Sequence, residues 1–587
     1  MERIPLQEYP RPQMRRDYYE ILNGLWDVEI KKGTETRYSG SILVPFSPET
    51  ELSGVKRILQ PDEVLHYHRI WKLSARRAGR LLLHFEAVDE SCVVYVNGQR
   101  AGEHHGGYLA FTLDITELVR FGDNDIDVYV TDPTDTSYHA RGKQKLDHGG
   151  MFYTPQSGIW QTVWAEWVPE IYIKDLKLEP EVFLENKSED AEGAEYADGN
   201  LYFTVFDNEQ AHREGTAMIF EEGIPIRTVV FRTGKRTQVR MKRARLWSPE
   251  DPHLYEIHFV VGDDMVSGYF AMRSFMKKPD RNGAARFWLN GRPYFLNGVL
   301  DQGYWKESLM TAQNDEALIR DIEAMKDLGF NMLRKHVKIE SRRWYWHCDR
   351  LGMLVCQDMV NGGGSYNMHL LCEMPNILPF TGRAVKDRFY SFFARKDAEG
   401  RKEFTRQLKG MVTQLYNYPC ICTWVPFNEG WGQFDSGKIV RMLRKMDSRR
   451  LIDQASGWFD QGGGDYKSIH NYFRRLKVRP GKRIIALSEY GGYSCRIEGH
   501  SGGNQMKMYR KYKNGDDLTK AYEKLIRRDI IGNLKNGLSL AVCTQLSDVE
   551  EEINGFMTWD RKVVKTDPER MRKLNREVYE TFEKVTQ

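Results

Sequence analysis

The sequence predicts a multidomain protein in which two β-sandwiches precede a (β/α)8 barrel. Three observations lead to this fold class. The 587 residues are several times the length of a typical single domain. Short apolar runs bounded by turn residues fill the first half, whereas strand-like runs alternate with helical periodicity in the second half. We predict domains over residues 1–169, 170–276 and 277–587.

The first domain is predicted to consist of β-strands. Asn97-Gly98 directly follows one apolar run and is a strong signal for a tight hairpin. A polar loop of roughly residues 132–157 precedes the last strand. A sandwich is the fold that buries one face of each such strand. The predicted strands cover residues 81–85, 92–96, 126–130 and 159–168.

The second domain begins near residue 170 and has the size of a small antiparallel sandwich. Its apolar runs are again short, and no helical periodicity interrupts them. The run 186–199 is acidic and contains glycine, so we predict an exposed loop there. The predicted strands cover residues 201–206, 226–231 and 254–261.

From about residue 285 the pattern changes to strands that alternate with helices. Asn314 can cap a helix that ends at Gly329, and a second helix ends before Pro419. The apolar positions at helical spacing are Leu318, Ile322, Met325 and Leu328 in the first helix and Phe404, Leu408, Met411 and Leu415 in the second.

Eight short apolar runs lie in this second half, within about 300 residues. Eight βα units of that size predict a (β/α)8 barrel. An open doubly wound sheet is the alternative fold, but no glycine-rich phosphate loop follows the first run. The runs cover residues 294–300, 331–333, 353–356, 421–425, 451–455, 468–472, 484–487 and 538–544.

Composition excludes several classes of protein. A net charge of +4 is too small for this length to indicate nucleic acid binding. No stretch of about 18 apolar residues occurs and the N-terminal residues lack a signal-peptide pattern, so we expect no membrane partner and a cytoplasmic location. The eight cysteines form no CxxC pair and no zinc-like spacing, which predicts reduced thiols and no metal site.

Two glutamates follow apolar runs of the predicted barrel. Glu429 comes after the fourth run and Glu489 after the seventh, each with glycine close behind. Because the strands of such a barrel deliver their C-terminal ends to one rim, we expect the two carboxylates to face each other. A glutamate at a strand end is by itself usually a cap or a surface charge. Two on one rim predict glycoside cleavage, in which one carboxyl group protonates the leaving oxygen and the other attacks the anomeric carbon.

The chain resembles glycoside hydrolase family 2, the family of bacterial β-galactosidases, β-glucuronidases and β-mannosidases. The resemblance covers nearly the whole chain, and it rests on the order and spacing of short motifs. It implies a jelly-roll sugar-binding domain, an immunoglobulin-like sandwich and a catalytic TIM barrel. The motifs are residues 22–26 (LNGLW), 95–98 (YVNG), 157–160 (SGIW), 246–255 (LWSPEDPHLY), 428–430 (NEG) and 488–491 (SEYG).

The resemblance implies a retaining mechanism with Glu429 as acid/base and Glu489 as nucleophile. Their carboxyl groups should then be about 5 Å apart. Arg334, at the end of the second strand, is expected to donate to Glu489, and Asn428 to bind the sugar 2-hydroxyl. The family usually has Arg, two residues and then His after this strand. Here His336 comes one residue earlier, so its role stays open between pocket and packing.

Further side chains at strand ends are candidates for binding sugar hydroxyls. His470 and Tyr472 end the sixth strand, and each is as compatible with packing as with the pocket. Asp147 and His148, in the polar loop of the first domain, could reach the pocket, as the corresponding loop does in some relatives. The other candidates are Asp301 after the first strand, Asp358 after the third, Trp458 after the fifth, and Asp548 or Glu550 after the eighth.

We therefore predict an exo-acting β-glycosidase, with β-galactosidase as the first choice of activity. The Asn-x-Lys motif with which the family's glucuronidases grip a carboxylate has no convincing counterpart, but β-glucuronidase, β-mannosidase and an arabinoside-cleaving enzyme stay open. The alternative from another class is a non-catalytic carbohydrate-binding protein. The predicted partner is a small carbohydrate, no cofactor or metal is expected, and a homo-oligomer is compatible with the family.

Overall fold

The structure is a computed structural model that describes residues 4–75, 77–377, 385–502 and 510–587. Two β-sandwich domains come first, and an eight-stranded parallel barrel follows, so the predicted fold class is confirmed. The first sandwich packs a six-stranded antiparallel sheet against a four-stranded one. In sheet order their strands are Glu35–Val44, Gly24–Lys32, Val64–Leu73, Gly122–Thr131, Ser91–Val96 and Gln99–His105, then Tyr19–Ile21, Val163–Val168, Arg80–Phe85 and Phe111–Asp114.

Alternating burial explains how these strands form a sandwich. In Gly24–Lys32, Trp26, Val28 and Ile30 point into the core, while the residues between them face outward. A strand of period two buries one face only, and the apolar faces of the two sheets bury each other. The predicted strand 159–168 is divided here. Gly158–Ile159 pairs with Val88–Asp89, and the strand of the main sheet starts at Val163.

The second sandwich joins a three-stranded sheet to a four-stranded one. The acidic run 186–199, predicted as an exposed loop, is mostly strand, because two long strands continue through it and turn near Gly193. Its charges form cross-strand pairs such as Lys187 with Glu195, 2.8 Å apart. The number of acidic residues in a run does not show whether they pair in this way. In sheet order the strands are Ile173–Glu189, Glu195–Asp207 and Thr237–Arg245, then Ile224–Arg232, Glu214–Glu221, Tyr255–Val261 and Asp264–Phe270.

All eight predicted barrel strands are present and pair in parallel. The sheet runs from the fifth strand through the fourth, third, second, first, eighth and seventh to the sixth. The fifth is shorter than predicted and ends at Ile452, although Asp453 N still donates to Trp424 O in the fourth strand and Ser456 N to Phe427 O after it. In chain order the strands are Leu296–Asp301, Met332–Lys335, Leu354–Asp358, Ile421–Val425, Leu451–Ile452, Tyr466–Asn471, Ile484–Gly491 and Leu538–Thr544.

Both predicted helices are confirmed, and so is Asn314 as the cap of the first. Asn314 accepts a hydrogen bond from Ala317 N at 2.9 Å, and the second helix is started by Asp397, which accepts from Gly400 N.

Two short sheets accompany the barrel, Phe275–Pro279 with Ala285–Leu289 and Arg292–Pro293, and Ser494–Cys495 with Lys511–Tyr512. The α-helices are Asp315–Asp327, Arg342–Leu351, Met374–Ile377, Ala398–Leu415, Ser436–Met446, Gly515–Leu525, Gly532–Leu534 and Pro568–Thr586; Pro12–Met14 is 3-10, and His369–Glu373 and Ile526–Ile531 are π-helical.

The polar loop of the first sandwich reaches the C-terminal face of the barrel. Arg141 donates to the carbonyl oxygens of Gly363 and Gly364, which follow the third barrel strand. Gly150 N donates to Glu551 Oε2 at 3.0 Å, and Thr154 N donates to Glu550. The loop therefore forms part of the wall around the rim where the barrel strands end.

Two predictions about composition can be compared with the structure. All eight cysteines are buried and free in the structure, and reduced thiols stay a prediction. Among the described residues, no helix is both long enough and apolar enough to cross a membrane. The cytoplasmic location stays a prediction.

Candidate active site

Glu429 and Glu489 meet at the rim of the barrel, as their positions after the fourth and seventh strands predicted. Both are buried, with 5% and 4% exposure. One oxygen of each carboxyl group and a ring nitrogen of His470 all lie within 4.8 Å of one another. This upper limit is compatible with the spacing of about 5 Å expected for two carboxyl groups that act on one glycosidic bond with retention.

The backbone at Glu429 has a strained conformation that its neighbours hold by a hydrogen bond and by close packing. Its φ of +51° lies in the left-handed region, which side chains other than glycine rarely adopt. Glu429 N donates to Ser456 O at 2.9 Å, which ties the segment to the one after the fifth strand. Gly430 follows at φ +77°, and a Cβ there would lie 2.5 Å from Phe459. Strain that the surroundings hold in this way is typical of functional sites.

Glu489 is held in its charged form by its neighbours. Arg334 Nη1 donates to Oε1 at 3.1 Å, and the Tyr472 hydroxyl donates to Oε2. Burial by itself would raise the pKa of this carboxyl group, but the charges of His470, Arg334 and His336 together with the Tyr472 hydrogen bond lower it to about 2. Glu489 is therefore ionised at neutral pH.

Arg334 is fixed by a second carboxylate, Asp358, at the end of the third strand. Its Nε and Nη2 donate to the two oxygens of Asp358, each at 2.9 Å, in a bidentate pair. Nη2 also donates to Asn428 Oδ1 at 2.8 Å. His336 Nδ1 lies 3.0 Å from Asp358 Oδ2, and burial lowers the pKa of this imidazole. His336 thus touches the carboxylate that orients Arg334.

His470 connects the two glutamates. Its Nδ1 lies 2.9 Å from Glu429 Oε1, and its Nε2 lies 3.5 Å from Glu489 Oε1 and 2.9 Å from Ser456 Oγ. The three ligand atoms of this trio are close enough to hold a cation, and one of the three residues, Glu429, also lines the neighbouring cavity. Of the two roles that the sequence allows for His470, packing and the pocket, the structure favours the second by placing it between the two glutamates.

Two buried N–H groups at the site donate to no acceptor among the described residues, Asn428 Nδ2 and Trp458 Nε1. The Asn428 amide is oriented by Arg334, which occupies its oxygen. Unpaired buried donors are costly in a stable protein and are expected where a ligand supplies the acceptor. Asn428 and Trp458 thus each keep one N–H group without a described acceptor at this site.

A cavity of about 530 Å³ opens beside the carboxyl pair. Glu429, Trp458 and Tyr472 line it, as predicted. Most of its wall could not be predicted from the sequence, because, of the remaining residues, only Phe473 directly follows a predicted strand and none belongs to a recognised motif. The missed lining residues are Met151, Cys372, Glu373, Asn376, Ile377, Phe473 and Arg474.

Several predicted hydroxyl ligands are engaged within the protein instead. Asp301 pairs with Lys335 at 2.7 Å and accepts from Gly303 N, so its two oxygens are taken. Asp548 pairs with Lys565 at 2.6 Å, and Glu550 accepts from Thr154 N. These carboxylates stabilise loops of the rim rather than line the cavity.

The loop of the first sandwich does reach the pocket, but through a residue that was not predicted. Met151 lines the cavity, whereas His148 is exposed and its Nδ1 lies 3.2 Å from Leu146 O. Asp147 is also exposed. An apolar residue in a polar loop has no distinguishing sequence pattern.

Two family models match the chain. Residues 58–164 match the glycosyl hydrolases family 2 sugar binding domain, and residues 282–479 match the glycosyl hydrolases family 2 TIM barrel domain. A barrel with a carboxyl pair at its C-terminal rim, preceded by a sugar-binding-type sandwich, defines the class as glycoside hydrolase. The chain belongs to glycoside hydrolase family 2.

Relatives in this family differ in the activity for which they are named. A putative beta-glucuronidase of Formosa agariphila is 31% identical over 457 residues, which is 70% of this chain and 48% of that protein. A beta-galactosidase of Thermoanaerobacter pseudethanolicus is 25% identical over 480 residues, 78% of this chain and 55% of that protein. The chain spans about half the length of these curated relatives.

Solved structures with the same fold cover nearly the whole chain. A Ruminococcus gnavus beta-glucuronidase superposes with a TM-score of 0.75 at 16% identity, over 98% of this chain and 100% of that one. A beta-galacturonidase from Eisenbergiella tayi, bound to galacturonate, gives 0.68 at 17% identity over 97% and 99%. At this identity the likeness shows the fold alone.

Proposed function

We propose that this chain is a retaining, exo-acting β-glycosidase in which Glu429 is the acid/base and Glu489 the nucleophile. The observation that carries the proposal is the separation of the two carboxyl groups, with one oxygen of each within 4.8 Å. An inverting enzyme needs room for a water molecule between sugar and base and keeps its carboxyl groups farther apart, at roughly 6.5–9.5 Å.

In the first step, Glu489 attacks the anomeric carbon while the bond from that carbon to the leaving oxygen breaks. Glu429 gives its proton to the leaving oxygen, and a covalent glycosyl-enzyme forms. In the second step Glu429 takes a proton from water, and the hydroxide oxygen displaces Glu489 from the anomeric carbon. The two displacements together retain the configuration.

The surroundings of each carboxyl group suit these roles. A nucleophile must be ionised, and Arg334, His470 and Tyr472 keep the pKa of Glu489 at about 2. Glu429 faces His470 and the Cys372 thiol, at 2.9 and 3.9 Å, and contacts no arginine or lysine in the described structure. His470 contacts both glutamates, so the guanidinium of Arg334, which contacts Glu489 and not Glu429, is what divides the roles between them.

The glycone is proposed to be neutral, with β-D-galactose first. Within the described lining of the cavity, the cationic side chain is Arg474, which is exposed and already donates to Ile377 O. Glu551 lies next to the cavity, because it binds the backbone N–H of Gly150, which precedes Met151. An acidic rim repels a uronate carboxylate and leaves a neutral sugar unaffected.

A β-glucuronide is the second candidate, and Arg474 is the observation that favours it. A guanidinium at the mouth of the cavity could bind the C6 carboxylate if it released Ile377 O. Relatives named beta-glucuronidase lie among those of similar sequence. The two candidates differ in whether activity depends on Arg474.

The test measures nitrophenol release from a panel of aryl β-glycosides, including galactoside, glucuronide, mannoside and arabinoside. We expect the galactoside to be hydrolysed and Arg474→Gln to leave that rate within about threefold of wild type. Arg475→Gln, at the neighbouring exposed position outside the cavity, is the matched control. Hydrolysis of the glucuronide alone, lost in Arg474→Gln and kept in Arg475→Gln, would establish the second candidate.

A further outcome decides between an enzyme and a binding protein. If the folded protein hydrolyses no glycoside of the panel and binds a sugar unchanged, the catalytic proposal fails and the non-catalytic carbohydrate-binding alternative replaces it. Proton NMR of the first product separates retention from inversion, and an initial α-anomer would contradict the assigned mechanism.

A further inference from the structure

A second group of metal-ligand side chains lies away from the active site, between the first sandwich and the barrel. It consists of Glu90, which follows the strand Val88–Asp89, His139 in the polar loop, and Glu403 in the helix Ala398–Leu415. Two of its members thus belong to the sandwich domain and one to the barrel. The proposed glycosidase mechanism uses none of them.

The three ligand atoms converge on one point. His139 Nδ1 lies 2.8 Å from Glu403 Oε2 and 3.2 Å from Glu90 Oε1, and the three atoms lie within 4.8 Å of one another. Ligands at about 2.0–2.2 Å from a tetrahedral metal ion are themselves separated by roughly 3.3–3.6 Å. Small side-chain shifts therefore convert the cluster into three corners of a coordination tetrahedron.

Glu90 provides an independent indication that a ligand belongs here. It is 2% exposed, and its Oε1, aimed at His139, accepts no hydrogen bond from any described residue. The other oxygen accepts from Ser91 Oγ at 2.7 Å. A buried carboxylate oxygen without a donor costs free energy unless a proton or a cation neutralises it.

The charge of the surroundings is negative. Glu90 and Glu403 carry two carboxylates, and the nearby Asp132 also raises the pKa of Glu90, which burial brings to about 7. His139 is the cationic partner that the electrostatics assign to them, and the Glu403 hydrogen bond raises its pKa against the effect of burial. A divalent cation would neutralise both glutamates at once.

We propose that Glu90, His139 and Glu403 form a binding site for a divalent first-row transition metal ion, with Zn²⁺ as the best match. One imidazole nitrogen and two carboxylate oxygens are donors that Zn²⁺ accepts, whereas Mg²⁺ and Ca²⁺ prefer oxygen alone. Partial exposure of the His139 and Glu403 side chains, at 19% and 11%, gives the ion a route from solvent.

The bound ion would join the sandwich to the barrel beside the active site. The segment that carries His139 pairs Ala140 with Gly362 and directs Arg141 to Gly363, in the loop after the third barrel strand. Arg395 Nη1 also donates to Tyr138 O at 3.0 Å. A metal link from His139 to Glu403 therefore stabilises a domain contact rather than supplying chemistry to the sugar.

The alternative occupant is a proton. His139 in its imidazolium form can share its Nδ1–H between the two glutamates, with Glu90 protonated at lower pH. This arrangement needs no metal and predicts that Zn²⁺ neither binds nor stabilises the protein at this place.

The test titrates Zn²⁺ into the EDTA-treated, dialysed full chain by calorimetry, with a reducing agent present to protect the cysteines. The background is Glu429→Gln, because Glu429, His470 and Glu489 form the other trio with suitable geometry. We expect one Zn²⁺ per chain, and binding roughly 100-fold weaker or lost when Glu403→Gln is added. Glu399→Gln, exposed on the same helix, is the matched control and should bind normally.

A second readout is the melting temperature with Zn²⁺ and with EDTA. We expect Zn²⁺ to raise it in the Glu429→Gln background and in the Glu399→Gln control, but not with Glu403→Gln or His139→Asn. Circular dichroism checks that each variant is folded. Absence of stoichiometric Zn²⁺ binding, or binding that Glu403→Gln leaves unchanged, would overturn the metal site and assign the cluster to a proton.

Discussion

Two buried clusters of arginine and carboxylate in this molecule look alike, but only the one at the barrel rim lies beside the cavity that Tyr472 and Trp458 line. One is Arg334 with Asp358 and Glu489 at the rim of the barrel. The other is Arg16 with Glu166 and Asp264, where the N-terminal segment meets both sandwiches. In each, cationic neighbours hold the pKa of a buried glutamate well below its usual range despite burial.

In the sandwich cluster every carboxylate accepts hydrogen bonds, although two donors around Glu166, Arg11 Nε and His84 Nε2, have no hydrogen-bond acceptor among the described residues. Glu166 Oε1 accepts from Arg11 at 2.8 Å and from Arg16 at 3.1 Å, and Oε2 accepts from the Tyr9 hydroxyl at 3.3 Å. Asp264 accepts two hydrogen bonds from Arg16, each at 2.8 Å. Its carboxylates have donors on every side, so the cluster stabilises the junction of the domains.

The barrel cluster is open on one side. Asn428, bound to Arg334, keeps an unpaired Nδ2, and Tyr472, bound to Glu489, lines the cavity. A lowered pKa therefore does not separate structural ion pairs from functional ones. What separates them is an unpaired donor beside a cavity.

The difference between the two clusters is tested most directly by making the same substitution in both. We expect Glu489→Gln to lower kcat by about 10⁴-fold or more and to leave the melting temperature nearly unchanged, because an amide cannot act as the nucleophile. We expect Glu166→Gln to keep kcat while the free energy of unfolding falls by about 3–5 kcal/mol, because Arg11 loses its carboxylate partner and the buried Arg16 keeps only Asp264.

Aryl glycoside kinetics and thermal melts of both variants measure the two effects. A stable, inactive Glu166→Gln protein, or an active Glu489→Gln protein, would contradict the division into a structural and a functional cluster. Since both variants lose one negative charge at a buried site, each serves as the control for the other.

The next prediction concerns Glu429, the proposed acid/base of the active site. We expect Glu429→Gln to lower kcat/KM by about 10²–10⁴-fold for substrates with a poor leaving group. The loss should be smaller for nitrophenyl glycosides, because nitrophenolate leaves without protonation. A rate series over leaving groups of different acidity measures this dependence, and an equal loss for all of them would refute the acid role.

A smaller effect is expected at Asn428, whose unpaired Nδ2 marks the open side of the barrel cluster. We expect Asn428→Ala to lower kcat by about 10²-fold, because a contact to the 2-hydroxyl strengthens in the transition state. A 2-deoxy glycoside lacks that hydroxyl, so wild type and variant should hydrolyse it at similar rates. An undiminished difference on the 2-deoxy substrate would place the role of Asn428 elsewhere.

The smallest effect concerns acid stability. The folded-state pKa of Glu166 lies below its ordinary value near 4.5, so its charged pairs stabilise the protein at neutral pH and lose that contribution as pH falls. We therefore expect the melting temperatures of wild type and Glu166→Gln to converge between about pH 7 and about pH 3. A gap that stays constant over this range would show that Glu166 acts through packing instead.

Much of the fold was predictable because period-two and helical patterns directly record which faces are buried. The eight barrel strands and the helix cap at Asn314 follow from such local patterns. The acidic run 186–199 was predicted wrongly, because its charges, such as Lys187 and Glu195, pair across strands rather than along the chain.

The domain order, the family and the position of both glutamates at strand ends could be predicted from the sequence alone. Each of these features is recorded by residues that lie close together in the chain. Only the tertiary structure decided that Asp301 is bound by Lys335, that Met151 and Arg474 line the cavity, and which donors stay unpaired. These outcomes depend on how loops from distant parts of the chain pack around the rim, and no local pattern encodes the distance between them.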